Sequence, residues 1–587
     1  MKFKHIPLYT ILWILEVLGS AVGNIIVSTK SGDVAGYTLD IQGHNSVGSQ
    51  VTSLNIFLGI PYAEPPVGKL RFARPVSKRP WSPTRLDALR FSPACPQPVW
   101  FLRRYSFLPT YNNTDEDCLY LNIYAPHNSA DPDLKYPVLI WIHGGSYKYG
   151  SGAEYDGRIL AQEGVVVVTI NYRVGIMGFL STDDDVAPGN YGLLDQLMAL
   201  KWVKDNAVHF HGDPDRITIA GQSAGGGSVS LHMFSPLAKG LFNSMIPQSG
   251  CALSPWAIYR PPHKIQTYTQ SIAMSVGCTA STSSDMIACL RSKDANLLVD
   301  TKVEALPMIS TFAPRVDGFY IHDLPEVLLE RGDYLHHINV MNGFLPNEVS
   351  EDYESEPGIA HGLTRSHLEQ LFYIKSRRYL ANAADMYSAL KCAYPPGNKN
   401  TALNRDHLIN MNSDYGYVVP HIKLSETLST KGENVWLYEF TYRSPSTLKE
   451  NWIGVPHAEE LYYQFGAPFF DVTPCPGSRA VTCPVTWGNY QPWALGDKQV
   501  SLETMKLWAD FVRLRNSSTV FPSAGGKSQN WVQFLPGDNL LNINTTITEE
   551  HLRRSSGVRF WSSFNYLNLT EPVPDVCHSK SGILVGK

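Results

Sequence analysis

The sequence predicts an α/β fold in a single domain, with a large, mostly parallel sheet flanked by helices. Two β-branched runs, at 136–143 and 164–171, are apolar enough to be strands buried on both faces of a sheet. Apolar residues recur at helical spacing over 192–204, and a short apolar run follows at 216–220. Strands that alternate with helices favour a parallel sheet with helices on both faces.

Further elements continue this alternation. A helix is predicted from about Ser223, and two more strands are predicted at 338–343 and 435–442. With 587 residues, 43% of them hydrophobic, the chain can bury a large core. Its net charge of -4, without a long run of either sign, argues against a nucleic-acid or anionic-membrane partner.

The N-terminus has the features of a signal peptide. Lys2 and Lys4 precede an apolar stretch at 6–18 and small residues at 19–23. We therefore expect residues 1–23 to be removed and 24–587 to form a secreted domain. The C-terminal segment has no membrane-length apolar run and no retention tetrapeptide, so we expect no membrane anchor.

Cysteines and glycosylation acceptors agree with export. The acceptor asparagines are Asn112, Asn516, Asn544 and Asn568. Three close cysteine pairs are candidate disulfides: Cys95 with Cys118, Cys278 with Cys289, and Cys475 with Cys483. Cys251, Cys392 and Cys577 are left unassigned, and the odd total of nine leaves at least one thiol unpaired or linked to another chain.

No metal site is predicted. The chain has no C-x-x-C pair, and His209 with His211 lacks a third ligand, so these histidines are interpreted as part of a solvated loop.

The stretch Gly221-Gln222-Ser223-Ala224-Gly225 places a serine between two glycines, directly after a predicted strand. This is the context of a nucleophile elbow, in which a sharp turn exposes the serine hydroxyl at the strand end. Upstream, the strand at 136–143 runs into Gly144, Gly145 and Ser146, where glycines would let backbone amides approach an oxyanion. The amide of Ala224 would add a further donor.

A serine nucleophile needs a base and an acid that orients it. Glu348 follows the strand at 338–343, and His457 lies in the segment NWIGVPHAEELYYQFG. The residues alone leave other choices open, because the chain has 18 histidines. The acids that compete with Glu348 are Glu351, Asp352 and Glu354.

Several long motifs occur in a fixed order: FLGIPYAEPPVGKLRFARP at 57–75, EDCLYLNIYAP at 116–126, NYRVGIMGFLST at 171–182 and GNYGLLDQLMALKWV at 189–203. With the elbow, they make the chain from about residue 25 to about residue 570 resemble the type-B carboxylesterases of the cholinesterase superfamily. That family includes carboxylesterases, acetylcholinesterase and the non-catalytic neuroligins. The resemblance implies the α/β-hydrolase fold.

The resemblance also implies roles for individual residues. Ser223 would be the nucleophile, Glu348 the acid and His457 the base. The oxyanion hole would comprise Gly145, Ser146 and Ala224, with Gly144 shaping the loop. The pairs Cys95–Cys118 and Cys278–Cys289 match the family's two short disulfide loops, and no cofactor is implied. We expect Glu348 to contact one nitrogen of His457, and Ser223 to contact the other.

Two functions remain in competition. The loop reads His143-Gly144-Gly145-Ser146 where esterases of the family usually have H-G-G-G, and neuroligins share HGGSY. The chain is therefore predicted to be either a secreted serine carboxylesterase acting through an acyl-serine intermediate or a catalytically silent recognition module. Retention of Ser223, Glu348 and His457 favours the enzyme.

The expected substrate is a small neutral carboxylic ester. Choline-hydrolysing relatives have glutamate before the nucleophile and tryptophan in the first disulfide loop, where this chain has Gln222 and Leu108. Relatives dimerise through helices near the C-terminus, so a homodimer is a possible assembly. The segment 501–516 has an apolar stripe at helical spacing, formed by Leu502, Met505, Trp508, Phe511 and Val512. Burial of this stripe in its own domain is the alternative to a role in dimerisation.

Overall fold

The structure is a computed structural model. It describes residues 21–41, 51–98, 113–127, 131, 133–260, 264–303, 311–377, 382–470, 492–513, 521–522, 528–529, 533–534, 539–552 and 554–564. The predicted signal peptide lies outside these ranges except for residues 21–23, which belong to the first strand. Its cleavage and the domain boundary at residue 24 stay predictions.

Strands alternate with helices along most of the chain. The strands are β1 (Ala21–Thr29), β2 (Gly32–Asp40), β3 (Ser53–Pro61), β4 (Leu86–Asp87), β5 (Tyr120–His127), β6 (Tyr136–Ile142), β7 (Val166–Ile170), β8 (Gly212–Gln222), β9 (Ser244–Gln248), β10 (Asn339–Phe344), β11 (Val435–Phe440), β12 (Phe521–Pro522), β13 (Ser528–Gln529), β14 (Asn539–Ile543) and β15 (Ile547–His551). The α-helices are α1 (Gly175–Phe179), α2 (Tyr191–Asn206), α3 (Ala224–Met233), α4 (Ile265–Ser275), α5 (Ser283–Ser292), α6 (Ala295–Asp300), α7 (Pro325–Arg331), α8 (Arg365–Ser376), α9 (Ala383–Ala393), α10 (Thr401–Ser413), α11 (Val419–Thr430), α12 (Glu460–Gln464), α13 (Leu495–Arg513) and α14 (Ser556–Ser563).

Thirteen strands form one mixed sheet in the order β1-β2-β3-β5-β7-β6-β8-β9-β10-β11-β14-β15, with β4 beside β2. The seven central strands from β7 to β14 are parallel. The outer strands on both sides pair antiparallel, except β4, which is parallel to β2. This is the α/β-hydrolase fold that the resemblance implies, with antiparallel margins on a parallel centre.

The sheet is buried on both faces. Along β6, Val138, Ile140 and Ile142 belong to one apolar core, while Leu139 and Trp141 belong to the other. The first core is covered by helices that include α2 and α3, and the second by helices that include α12 and α13. Because successive side chains of a strand point to opposite faces, a strand between two cores must be apolar throughout.

The elements predicted around the elbow are confirmed with small shifts of their ends. Strand β8 begins at Gly212, earlier than the predicted 216, and α3 begins at Ala224. Since β6, β8, β10 and β11 are parallel, their carboxyl ends meet at one edge of the sheet. The loops that follow these four strands carry every predicted catalytic and oxyanion residue.

Two predicted disulfides are confirmed: Cys95–Cys118 and Cys278–Cys289. Cys392 is also disulfide-bonded, and Cys251 is a buried free thiol. The third predicted pair, Cys475–Cys483, lies outside the described residues, as does Cys577.

Of the predicted glycosylation acceptors, only Asn544 lies in the described part of the chain, where its amide donates to Thr441 Oγ1 at 3.0 Å. Asn112, Asn516 and Asn568 lie outside it. Among the helices that the structure describes, none is both long and apolar enough to cross a membrane.

The apolar stripe predicted near the C-terminus lies on α13. Met505, Trp508, Phe511 and Val512 are buried in the chain's own core, and Leu502 packs against it. These side chains stabilise the domain itself. A homodimer through the C-terminal helices stays a prediction and would need other faces of those helices.

Candidate active site

Ser223 occupies a strained turn between β8 and α3. Its backbone has φ 59° and ψ -125°, a conformation that L-residues rarely adopt and that costs on the order of 1–3 kcal/mol. The turn is held on both sides: the N–H of Ser223 donates to the carbonyl of Gln248 at 2.8 Å, and its carbonyl accepts from Gly227 at 2.9 Å. Strain that the surrounding structure maintains is a feature of functional positions.

The glycines around Ser223 are required by close packing. A Cβ added to Gly225 would lie 2.0 Å from the carbonyl oxygen of Ile142, and one added to Gly221 would lie 2.6 Å from the same oxygen. The elbow is therefore pressed directly against the end of β6. This explains the crowded glycines of the motif without reference to catalysis.

The glycine loop after β6 lies against the elbow. A Cβ on Gly144 would be 2.5 Å from the carbonyl oxygen of Gln222 and 3.1 Å from the Cβ of Ser223. Gly145 has φ 104°, and Ser146 takes the left-handed conformation with φ 55°, so serine is tolerated where esterases of the family usually have glycine. Within the described residues, neither the Gly145 N–H nor the Ala224 N–H has an acceptor.

His143 anchors this loop as a neutral side chain. It stacks on Tyr172 with ring centroids 4.3 Å apart, and the Tyr172 hydroxyl donates to the His143 carbonyl at 2.8 Å. Burial lowers the pKa of His143 to about 4. An uncharged imidazole beneath the loop keeps the oxyanion region dependent on amide dipoles.

Glu348 and His457 come together from two separate loops. The Glu348 carboxylate, whose side chain is 0% exposed, lies 2.5 Å from Nδ1 of His457 through Oε2. Its Oε1 accepts a hydrogen bond from the N–H of Leu345 at 2.9 Å. The sequence-based expectation for this pair is met.

The competing acids do not hydrogen-bond to His457. Glu351 forms an ion pair with Lys449 at 2.8 Å. Asp352 and Glu354 are exposed, and neither hydrogen-bonds to His457. Of the four candidates, only Glu348 hydrogen-bonds to the imidazole.

The other nitrogen of His457 has an unexpected partner. Its Nε2 lies 3.0 Å from the side-chain amide nitrogen of Gln222, and no hydrogen bond joins the described residues Ser223 and His457. The expected contact between the serine hydroxyl and the imidazole is therefore absent in this structure. The physical reason is that Gln222, adjacent to Ser223 and 3% exposed, fills the position facing Nε2.

The charges around His457 favour its protonation. Burial by itself would lower its pKa, but the charge and hydrogen bond of Glu348, with a smaller contribution from the charge of Asp352, raise the pKa above its ordinary value. For Glu460, burial first and the Glu348 charge second raise the pKa to about 8. Glu460 is thus protonated at neutral pH, and its Oε1 accepts from Gln248 at 3.3 Å.

Aromatic side chains form one wall beside the imidazole. Tyr417 packs edge-on against His457 with centroids 5.0 Å apart, and Trp256 lies 5.5 Å from Tyr417. Tyr417 belongs to a π-helical turn, Asp414–Val418, between α10 and α11. Such turns occur often at functional sites.

Sequence reasoning missed these neighbours. Glu460 stands three residues after His457 in the very segment that identified the base, so its position was a usable signal. No sequence pattern predicts the π-helical turn that contains Tyr417.

Other features lie apart from this site. A cavity of about 600 Å³ is lined by residues that include Phe344, Pro346, Asp414 and Val418, but by none of the three predicted catalytic side chains. In the described residues, no group of three or more His, Cys, Asp or Glu side chains could hold a metal ion. His211 ends a 3-10 turn and His209 lies within it.

Comparison with known proteins identifies the family of the chain. The carboxylesterase family model matches residues 23–561. The chain is 34% identical to mouse neuroligin-2 over 85% of this chain and 61% of that protein, and 33% identical to mouse neuroligin-3 over 89% and 69%. It is 31% identical to the acetylcholinesterase of Bungarus fasciatus over 96% of this chain and 90% of that protein.

The chain thus spans 61% of the length of the neuroligin-2 that it matches. The family model covers nearly all of the residues that form the sheet and every residue of the site described above. The chain belongs to the carboxylesterase family.

Proposed function

We propose that this protein is a secreted serine carboxylesterase that hydrolyses small neutral carboxylic esters. The observation that carries the proposal is the hydrogen-bonded pair of Glu348 and His457 beside a serine held in a strained elbow. A strained nucleophile position and a base oriented by a buried acid are the parts that acyl transfer requires.

In the proposed reaction, Ser223 Oγ attacks the ester carbonyl carbon while His457 Nε2 accepts the hydroxyl proton. The carbonyl oxygen becomes an oxyanion that accepts hydrogen bonds from the amides of Gly145, Ser146 and Ala224. His457 returns the proton to the leaving alcohol, which leaves an acyl-serine. Water then attacks the acyl carbon with the same proton transfers and releases the acid.

Two features support a neutral substrate. Gln222, next to the nucleophile, carries no charge, and the wall formed by Tyr417 and Trp256 is aromatic. A compact uncharged ester would bury apolar surface there without leaving an unpaired charge. No cofactor is needed for this chemistry.

Export is supported by the covalent structure. Two disulfides close short loops in the described chain, and such bonds persist in oxidising compartments. The signal-like N-terminus and the glycosylation acceptors point to the same compartment.

A catalytically silent recognition module is the second candidate. Two observations favour it: the similarity to neuroligin-2 and neuroligin-3, and the engagement of His457 Nε2 by Gln222. Fold alone does not choose between these functions, because one fold hosts several of them.

The test is hydrolysis of a short-chain activated ester by the purified protein, Ser223→Ala and Ser271→Ala. Ser271 is a partly exposed serine of α4 whose hydroxyl donates to the Thr267 carbonyl, and it serves as the matched control. We expect Ser223→Ala alone to abolish turnover and covalent labelling by a fluorophosphonate. A folded wild type that is no faster than Ser223→Ala and takes no label would overturn the esterase and favour the recognition module.

A further inference from the structure

Gln222 directly precedes the proposed nucleophile, and its uncharged side chain faces the imidazole of His457. It is the last residue of β8, so the register with β9 and the tight elbow fix its backbone beside Ser223. Its amide lies between two parts of the site. The nitrogen is 3.0 Å from His457 Nε2, and a Cβ on Gly144 of the oxyanion loop would meet its Oε1 at 3.2 Å.

The proton positions follow from the partners of the imidazole. An ionised carboxylate can only accept hydrogen bonds, so the Nδ1 of His457 that faces Glu348 must carry a proton. In the neutral ring, Nε2 then holds a lone pair, and the amide N–H of Gln222 is the donor that faces it. An imidazolium would place two donors against each other at this contact.

The lone pair that Gln222 engages is the one that a general base needs. A proton can leave Ser223 only when Nε2 is free to accept it. We propose, on the basis of the serine esterase function above, that Gln222 is a gate on the general base: it occupies His457 Nε2 in the resting protein and yields when an ester enters.

The Gln222 amide lies beside the position that the ester would occupy. An ester carbonyl held by the amides of Gly145 and Ala224 would lie beside the same loop that borders the Gln222 amide. Gln222 is therefore a positioning residue that acts through His457 and does not exchange a proton itself. A glutamate at this position would reverse the effect, because a carboxylate accepts from the imidazolium and does not block the lone pair.

The test compares wild type with Gln222→Met and Gln222→Glu. Methionine is unbranched and of similar length but lacks the amide donor, and glutamate keeps the shape. Gln162→Met is the matched control, since Gln162 is also buried and its amide donates to the Arg158 carbonyl and not to His457. The measurement is the second-order rate of Ser223 labelling by paraoxon from pH 5 to pH 9, with kcat and KM for 4-nitrophenyl acetate.

In Gln222→Met we expect the labelling rate at pH 9 to rise about two- to tenfold, the range that one ordinary hydrogen bond accounts for. The acid limb should move to higher pH, because loss of a donor to the neutral ring makes His457 easier to protonate. Gln222→Glu should move that limb further, with kcat affected more than KM. The low-field proton resonance of His457 Nδ1–H, assigned with His457→Gln, should report the same pKa rise without turnover.

The outcomes separate the two proposals. Labelling of folded Gln222→Met at or below the wild-type rate, or an unmoved acid limb, overturns the gate and leaves the esterase intact. No labelling of wild type or Gln222→Met above Ser223→Ala overturns the esterase, and the gate falls with it. A rise of the same size in Gln162→Met would assign the effect to buried-amide packing and also overturn the gate.

Discussion

The side chain of Asn347 accepts a hydrogen bond from the backbone N–H of Val455 at 3.0 Å. In return, the Val455 carbonyl accepts from the N–H of Asn347 at 3.3 Å. Glu348 follows the first residue and His457 lies two residues after the second, so this double contact aligns the acid with the base. A Cβ on Gly454 would lie 2.1 Å from the Asn347 oxygen.

Gly454→Ala should therefore misalign the acid and the base. We expect kcat/KM to fall about 10- to 100-fold, the scale of a displacement near 1 Å in an active site. Gly432→Ala is the matched control, because Gly432 also has a positive φ but nothing within 4 Å of an added Cβ. Equal losses in the two variants would show that backbone strain, and not the Asn347 contact, is responsible.

Glu348→Gln should lower kcat/KM about ten-thousandfold with little change in fold, since an amide does not hold the imidazole in the required tautomer. It also removes the charge that raises the pKa of His457. The acid limb of any residual activity should therefore move to lower pH. Steady-state kinetics from pH 5 to pH 9 measure both effects.

Glu351→Gln is the control for that substitution, because Glu351 pairs with Lys449 and not with His457. Its activity should stay near the wild-type value. A loss as large as that of Glu348→Gln would contradict the assignment of the acid.

Glu460→Gln should change the pH dependence of stability. The pKa of Glu460 is about 8 in the folded protein against an ordinary value of 4.5, so folding favours its protonated form. Stability from this group is complete below about pH 4.5 and is lost as the pH rises through 8. As the pH rises from 5 to 9, the Tm of Glu460→Gln should therefore increase relative to the Tm of wild type.

Thermal unfolding at those two pH values checks the sign. Glu330→Gln, at an exposed carboxylate, should keep the same Tm difference from wild type at both. If Glu460→Gln did the same, the raised pKa of Glu460 would be wrong.

Tyr417 should support the imidazole through its ring and not through its hydroxyl. We expect Tyr417→Phe to keep kcat/KM near wild type and Tyr417→Ala to lose about two- to tenfold, the usual range for one aromatic contact. Ester hydrolysis by the two variants measures this. Equal losses in Tyr417→Phe and Tyr417→Ala would show that the hydroxyl, and not the ring, supports the imidazole.

Much of the fold could be predicted because its signals are local. Strand β6 between two cores must be apolar at every position, and α2 must repeat its apolar residues at helical spacing. The observed strand ends differ from the predicted ends by only a few residues, as for β8, because flanking polar residues can join a strand without changing its apolar pattern.

The parts of the site that lie in one short stretch of sequence were easier to predict than the parts that combine distant residues. The elbow and the oxyanion loop are short stretches whose glycines directly reflect backbone crowding. Glu348 and His457 are separated by 109 residues. The residues alone left Glu351, Asp352 and Glu354 as alternatives, and the family resemblance singled out Glu348.

The sequence by itself determined the alternation of strands and helices, the turn that exposes Ser223 and the short-range disulfides, since each depends on neighbours along the chain. Only the tertiary structure brought Glu348 into contact with His457 and decided that Gln222 faces its Nε2 and that Tyr417 and the protonated Glu460 lie around it. These contacts depend on how separate loops pack at one edge of the sheet. Local patterns of hydrophobicity and backbone preference carry no record of that packing.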